Sequence, residues 1–292
     1  MADRLIKAIS KSSTIRAYAA ITTNTVSSAY KIQKPTALSG IILGNTLTAA
    51  LLCAATLKGN RDRISLAYQG DGVIGKAMAE ATANGKVRGY TANPQSEFCA
   101  GVDVKTQINE AIGKASLLTV TKDLGLKQPY SGTINCMTGD IGADMAYYFT
   151  QSEQIPSAAA ISTIPNSDNS GVQISGGYLV QQIPQNGGIN KNEKYELEKI
   201  TAATMSISLN SILLQEETPE DLLKNIFSNV EYEVLNSVNL SFKCTCSKEM
   251  LINAINMFDD GTKKEIKQSY EKIQIKCEFC KKIYYILSRD VR

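Results

Sequence analysis

Two short cysteine pairs near the carboxyl end constrain the fold of this chain more than any other feature. Cys244 and Cys246 are separated by one residue, Cys277 and Cys280 by two, and thirty residues lie between the pairs. Zinc takes four soft ligands at tetrahedral corners, and two local pairs brought together by folding supply them at low entropic cost. The spacing therefore predicts one Zn²⁺ per chain, held by these four sulfurs.

The residues between and after the two pairs predict a small folded domain. Ser247 can cap a helix that runs to Phe258, and Thr262 with Glu265 forms a capping box that opens a second helix. Alternating apolar residues predict a strand on each side of the second pair. Because so small a domain cannot bury enough apolar surface alone, we expect the metal to supply the missing stability.

Basic residues surround the predicted ligands in the sequence. They would offset the negative charge of a zinc tetrathiolate, and they favour the thiolate form that oxidants attack. These residues are Lys243, Lys248, Lys276, Lys281 and Lys282.

Two other interpretations of the four cysteines remain open: a zinc ribbon that only folds the tail, and two structural disulfides, which a reducing compartment disfavours. The C-x-C half makes a tighter chelate than C-x-x-C, and its sulfurs can pair with each other, which suits a site meant to come apart.

The composition excludes several classes of function. The chain has 292 residues and is 43% hydrophobic, which rules out a disordered chain and allows for about two domains. It contains no histidine, which excludes Ser–His–Asp and Cys–His catalysis. The net charge is only +3, so no polyanionic partner is required. The first residues lack the pattern of a signal peptide, so we expect a cytoplasmic protein.

Residues 1–185 mix strand and helix patterns, which predicts an α/β (α+β) N-terminal domain. Residues 35–57 carry no charge and are long enough to cross a membrane, but their small and hydroxyl side chains favour a buried helix. Residues 70–75 (GDGVIG) match a phosphate-binding glycine pattern. Asp71 would repel a pyrophosphate there, so we interpret the run as a hairpin turn.

Residues 186–237 predict a helical linker, and residues 238–292 a C-terminal zinc-binding α+β domain. Segment 216–233 is rich in Glu and Asp and has a single lysine, and Thr218 can cap a helix within it. A charged, modestly apolar segment between two domains should be metastable. An integral layer of the first domain is an equally favoured interpretation of the same residues.

The three other cysteines, Cys53, Cys99 and Cys136, are scattered and are expected to be small core residues. A thioredoxin-like centre at Cys277 and Cys280 would require a helix start in a βαβ setting, whereas strands are expected here.

The cysteine spacing, with residues 277–280 reading CEFC, resembles the defining signature of the redox-regulated 33 kDa chaperonin (heat shock protein 33) family. The sequence departs from that family at Met250, where an arginine is usual. Runs in the first domain are also similar to the family: GKVRGY at 85–90, KDLG at 122–125, PYSG at 129–132, YF at 148–149, SEQIP at 152–156 and GGY at 176–178.

The resemblance implies a chaperone, not an enzyme, that holds unfolding proteins without ATP under oxidative stress. In the family the reduced, zinc-bound form is inactive, and oxidation releases zinc and forms two disulfides. By the resemblance these would be Cys244–Cys246 and Cys277–Cys280. The zinc domain then unfolds, the linker is destabilised and apolar surface becomes available to clients. The resemblance also implies a homodimer when oxidised and transfer of clients to downstream foldase chaperones.

Two functions of other classes compete with this one. A zinc-ribbon nucleic-acid-binding protein would use the lysine-rich tail, but the near-neutral charge and the acidic linker disfavour it. A thiol–disulfide oxidoreductase would turn over with a dithiol. We therefore expect neither a nucleic-acid nor a membrane partner.

Overall fold

The computed structural model describes residues 2–98, 103–183, 191–206, 208–215, 218–228 and 230–291. These residues divide into two compact units, Met1–Phe242 and Lys243–Arg292. Both units combine strands with helices, so the predicted mixed α/β (α+β) fold class is confirmed.

The first unit contains two β-sheets. The five-stranded sheet has the strand order β10-β1-β2-β9-β8, and the six-stranded sheet has the order β11-β5-β4-β3-β6-β7. Neighbouring strands are antiparallel, apart from the short parallel pair of β11 and β5. The strands are β1 (Arg4–Ser10), β2 (Ile15–Ile21), β3 (Arg63–Gln69), β4 (Lys76–Thr82), β5 (Lys86–Thr91), β6 (Leu117–Asp123), β7 (Tyr130–Asn135), β8 (Ser157–Pro165), β9 (Val172–Gln182), β10 (Tyr232–Asn239) and β11 (Ser241–Phe242).

Helix α2 (Ala37–Ala54) lies at the centre of this unit and packs against strands of both sheets. It is long and apolar enough to cross a membrane, but 94% of it is buried inside the protein. Gly44 allows close contact with Thr163 of β8, because a Cβ there would come within 2.5 Å of the threonine Oγ1. The burial agrees with the predicted core helix with small faces.

The first unit contains six further helices among the described residues. Asp103 and Asp140 cap α3 and α4 by accepting hydrogen bonds from backbone N–H groups of the first turn. The helices are α1 (Thr23–Gln33), α3 (Val104–Ile112), α4 (Ile141–Ser152), α5 (Lys191–Ser206), α6 (Leu209–Gln215) and α7 (Pro219–Phe227).

The glycine-rich run 70–75 joins β3 to β4, which are antiparallel neighbours. Gly75 has a φ of 65°, and a Cβ on Gly72 would come within 2.3 Å of the carbonyl oxygen of Ala111. These glycines are therefore needed by a tight turn and a close backbone approach. The hairpin interpretation is confirmed.

The expected linker, residues 186–237, is only partly helical. Helices α5, α6 and α7 carry apolar side chains onto the outer face of the five-stranded sheet. From Tyr232 the chain instead forms β10, because the edge of β1 offers an antiparallel partner for this segment. The helical expectation is therefore wrong for 232–237. The compact division falls after Phe242, and the predicted boundary at 185–186 lies outside the described residues.

The second unit consists of helices α8 (Lys248–Asn256) and α9 (Asp260–Ser269), strands β12 (Lys272–Lys276) and β13 (Ile283–Leu287), and a 3-10 turn. Ser247 caps α8 as expected, since its hydroxyl accepts from the Met250 N–H at 3.2 Å. The predicted capping box at Thr262 is wrong. The cap is Asp259, whose carboxylate accepts a hydrogen bond from the Thr262 N–H at 2.9 Å. The helix therefore begins at Asp260, before Thr262.

Candidate metal centre

The four predicted ligands come together in the second unit. Cys244 and Cys246 lie between β11 and α8, and Cys277 and Cys280 lie in the turn between β12 and β13. All four Sγ atoms lie within 4.8 Å of one another. The Sγ atoms of Cys244 and Cys277 are 3.8 Å apart. Those of Cys246 and Cys280 are 3.4 Å apart.

These separations suit a metal ion of the expected kind. Four sulfurs at about 2.3 Å from a tetrahedral Zn²⁺ are about 3.8 Å from each other. A disulfide would instead require about 2.05 Å between two sulfurs. The donor set of four thiols without a carboxylate or imidazole is also the one that selects zinc over hard cations. The arrangement therefore fits a tetrathiolate zinc site.

The C-x-x-C pair is shaped by a compact backbone turn. Cys277 N–H donates to the Lys282 carbonyl at 2.9 Å, and Lys281 N–H donates to the Cys277 carbonyl at 2.8 Å. Lys281 has a φ of 57°, the left-handed conformation that closes the turn. Backbone N–H groups of Phe279 and Cys280 point to the Cys277 sulfur. These donors stabilise negative charge on the ligand.

The C-x-C pair is contacted by an aromatic hydroxyl. The Oη atom of Tyr284 lies 3.2 Å from Cys246 Sγ and 3.0 Å from the Cys246 carbonyl oxygen. Sequence reasoning missed this residue. A weak signal was available, because alternation along β13 places Tyr284 on the same face as the buried Ile286.

The environments of the thiols differ. Burial alone would raise the pKa of Cys246, but hydrogen bonds from Tyr284 and the other thiols lower it to about 7. Burial is the main reason that the pKa of Cys280 is raised to about 12. Burial likewise raises the pKa of Cys277. Hydrogen bonding therefore favours ionisation of Cys246, whereas burial disfavours ionisation of Cys277 and Cys280 by raising their pKa values.

The flanking lysines are only partly available to offset the charge of the site. Lys281 Nζ pairs with Glu278 at 2.8 Å. Lys248 Nζ pairs with Asp290 at 2.9 Å. Both ion pairs lie in the second unit. Each carboxylate offsets part of the positive charge that its lysine would otherwise place near the four sulfurs.

The other described cysteines lie in the first unit. Cys53 is fully buried in α2, and Cys136 is half-buried after β7. Burial raises the pKa of Cys136 to about 12 and that of Cys53 further still. This agrees with the expected packing role for these two residues. Cys99 lies outside the described residues.

Fold and site together define an α+β protein that ends in a small unit with a four-thiol, candidate metal-binding centre. A sequence model described as Hsp33 protein matches residues 3–286, and the chain belongs to this family of chaperones. The resemblance inferred from the cysteine spacing is therefore confirmed. The chaperone assignment is consistent with stress response, and the cysteine cluster fits zinc and disulfide chemistry.

Individual relatives agree over nearly their whole length. The chain is 34% identical over 286 residues to a 33 kDa chaperonin of Caldanaerobacter subterraneus subsp. tengcongensis, covering 98% of this chain and 95% of the relative. It is 34% identical over 291 residues to one of Clostridium botulinum, covering 99% and 96%. The crystal structure of the 33 kDa chaperonin of Thermotoga maritima matches with a TM-score of 0.85 at 29% identity, covering 100% and 97%.

Proposed function

We propose that this chain is a redox-regulated, ATP-independent holdase that binds unfolding proteins during oxidative stress in the cytoplasm. The observation that carries the proposal is the convergence of Cys244, Cys246, Cys277 and Cys280, whose sulfurs lie within 4.8 Å of one another. A chaperone that responds to oxidants needs thiols whose oxidation changes the fold. These four thiols are the proposed sensor.

One Zn²⁺ held by the four cysteines would supply folding energy, on the order of 10 kcal/mol in a small module. The second unit needs such a contribution. Its described core cluster contains three buried apolar residues, namely Ile255, Ile286 and Val291. Without four thiolate ligands the unit loses the free energy of zinc binding, which is larger than its expected marginal free energy of unfolding. Oxidation of the cysteines should therefore unfold it.

We propose that the disulfides are the local pairs, Cys244–Cys246 and Cys277–Cys280. In each pair two thiolates give two electrons to hydrogen peroxide, whose O–O bond breaks to form two water molecules after uptake of two protons, while an S–S bond forms. The cross pairs Cys244–Cys277 and Cys246–Cys280 would close loops of more than thirty residues. Such a disulfide would stabilise the folded unit by about 4 kcal/mol, which opposes a switch based on unfolding.

The proposed client surface is the outer face of the five-stranded sheet, where apolar side chains of helices α5, α6 and α7 pack. Helix α7 covers this face with Leu222, Leu223, Ile226 and Phe227, which are all buried. Its ion pair, Arg4 with Glu220, is partly exposed and contributes little to stability. If unfolding of residues 243–292 leads to release of these helices, a contiguous apolar surface becomes available to clients.

The test is an aggregation assay with thermally unfolding citrate synthase, using reduced and peroxide-treated protein, with zinc release followed in the same samples. We expect zinc release, disulfide formation and suppression of aggregation to occur together. Peptide mapping should find the two local disulfides. An oxidised protein that stays folded and inactive, or that contains the cross pairs, would contradict the proposal.

The proposed partners are unfolded clients, a second copy of the chain when oxidised, and foldase chaperones that receive the clients. Size-exclusion chromatography with light scattering tests the dimer, which should appear only after oxidation. Client release should require added foldase chaperones and ATP.

A second candidate is a zinc-ribbon nucleic-acid-binding protein. The outer face of the β12–β13 hairpin favours it, because Lys272 Nζ lies 3.9 Å from the ring centroid of the exposed Tyr285. Binding to single-stranded RNA that weakens steeply with salt would support this candidate. We favour the holdase because the family is a chaperone family.

A further inference from the structure

Tyr284 approaches the four-cysteine centre from strand β13. It pairs in register with Ile275 of β12 and shares its face of the hairpin with the fully buried Ile286. The flanking residues Ile283 and Tyr285 point to the opposite face and are 44% and 48% exposed. The strand therefore directs the ring of Tyr284 inward and that of Tyr285 outward.

The phenol contacts the side chain and the backbone of one cysteine at the same time. Its Oη atom is 3.2 Å from the sulfur and 3.0 Å from the carbonyl oxygen of Cys246. When Cys246 is a metal-bound thiolate, both of these atoms accept, so the single O–H of Tyr284 is a donor shared between the sulfur and the carbonyl oxygen. The two contacts restrict the direction in which the Cys246 sulfur points.

The two cysteine pairs differ in how their sulfurs are supported. In the C-x-x-C turn, backbone N–H groups point to Cys277 and Cys280, and no side-chain substitution removes them. The C-x-C segment lies outside helix and strand, between β11 and α8. For Cys246 a side-chain hydroxyl supplies the hydrogen bond that the turn supplies in the other pair.

We propose that Tyr284 is a positioning residue of the metal centre, which holds Cys246 as a ligand and sets how readily the C-x-C pair is oxidised. The inference rests on the proposed zinc and thiol function. A hydrogen bond draws electron density from a thiolate sulfur and makes it a weaker nucleophile toward peroxide. Loss of such an outer partner typically lowers metal affinity 10–100-fold. Both effects make the centre open more easily when the hydroxyl is removed.

The test compares Tyr284→Phe with Tyr285→Phe in the full chain. The two variants make the same chemical change at neighbouring positions of one strand, but only the first removes a contact with Cys246. Zinc affinity is measured by competition with a chromogenic chelator, and the rate of zinc release is measured with hydrogen peroxide. Cobalt substitution reports ligand geometry through the sulfur-to-metal charge-transfer band.

For Tyr284→Phe we expect about tenfold weaker zinc binding, faster peroxide-driven release and a shifted cobalt band. Tyr285→Phe should match the wild type in all three. Equal behaviour of Tyr284→Phe and wild type would overturn the proposal. Failure of Tyr284→Phe to take up zinc at saturating concentration would also overturn it, because Tyr284 would then be required for folding. A wild type without stoichiometric zinc would instead refute the proposed function.

Discussion

The rings of Phe227 and Tyr232 stack with their centroids 4.5 Å apart and their planes at 15°. Phe227 is the last residue of α7, and Tyr232 is the first residue of β10. The stack therefore connects the helix that covers the five-stranded sheet to the strand that extends this sheet. Release of α7 from the sheet while β10 stays paired with β1 must separate these two rings.

Replacing Phe227 with alanine should weaken the docking of α7 and activate the chaperone without oxidant. Phe227 is fully buried, and truncation of such a residue costs about 3–5 kcal/mol. We expect reduced Phe227→Ala to retain zinc but to suppress citrate synthase aggregation. Leu214→Ala is the matched control, since Leu214 of the neighbouring helix α6 is 52% exposed. Reduced Phe227→Ala that is as inactive as wild type, although α7 has become protease-sensitive, would refute the proposed client surface.

Replacing Cys246 with serine should remove the metal and unfold the second unit under reducing conditions. A hydroxyl is a poor substitute for a soft thiolate, so a four-ligand site loses most of its affinity. The measurements are zinc content per chain and the rate of proteolysis within residues 243–292. Cys136→Ser is the control, because Cys136 lies in the first unit and should not affect zinc content. A Cys246→Ser protein with one zinc and a protease-resistant tail would show that this cysteine is not a ligand.

Replacing Asp144 with asparagine should change how stability depends on pH. Burial raises the folded-state pKa of Asp144, although N–H groups of Met137 and Thr138 partly counter this. Ionisation of the carboxyl therefore costs stability. The cost is absent below the unfolded-state pKa of about 3.9 and grows as the pH rises through the folded-state pKa. Relative to wild type, Asp144→Asn should become more stable from about pH 4 toward neutrality.

Denaturant unfolding at several pH values measures this trend. Asp168→Asn is a control with the opposite sign, because hydrogen bonds from Ser170 lower the pKa of the exposed Asp168. Its ionised form is the favoured one in the folded protein, so Asp168→Asn should lose stability relative to wild type as the pH rises from the folded-state pKa to the unfolded-state pKa of about 3.9, and the difference should stay constant above that pH. A stability difference between Asp144→Asn and wild type that does not vary with pH would contradict the prediction.

Replacing Gly44 with alanine should destabilise the first unit despite the better helix propensity of alanine. The added Cβ would lie 2.5 Å from Thr163 Oγ1 and 2.9 Å from Val26 Cγ1. Overpacking of this kind costs about 1–3 kcal/mol, which exceeds the roughly 1 kcal/mol gained from propensity. Thermal unfolding should show a lower Tm. Gly261→Ala in α9 is the control for the same change outside the first unit, because its Cβ would meet only Oδ1 of the capping residue Asp259, at 3.0 Å, and nothing packed on α2. An unchanged Tm for Gly44→Ala would mean that α2 has room to adjust.

Local patterns in the sequence predicted much of what the structure contains. The uncharged run 35–57 predicted the buried helix α2, and Ser247 and Thr218 were predicted as helix caps. Each of these depends on neighbouring residues, so a short window contains the relevant information. The predicted capping box at Thr262 was wrong, and the cause is also local. Asp259 is a stronger local competitor for the same N–H group.

The sequence by itself determined which four residues could form a metal centre, because C-x-C and C-x-x-C are local arrangements with restricted geometry. It also determined the family, since the matching runs extend along most of the chain. Only the tertiary structure decided that the segment after residue 231 becomes a strand, because that choice depends on an available edge at β1. It likewise placed Tyr284 against Cys246, a contact between residues 38 positions apart that no local pattern encodes.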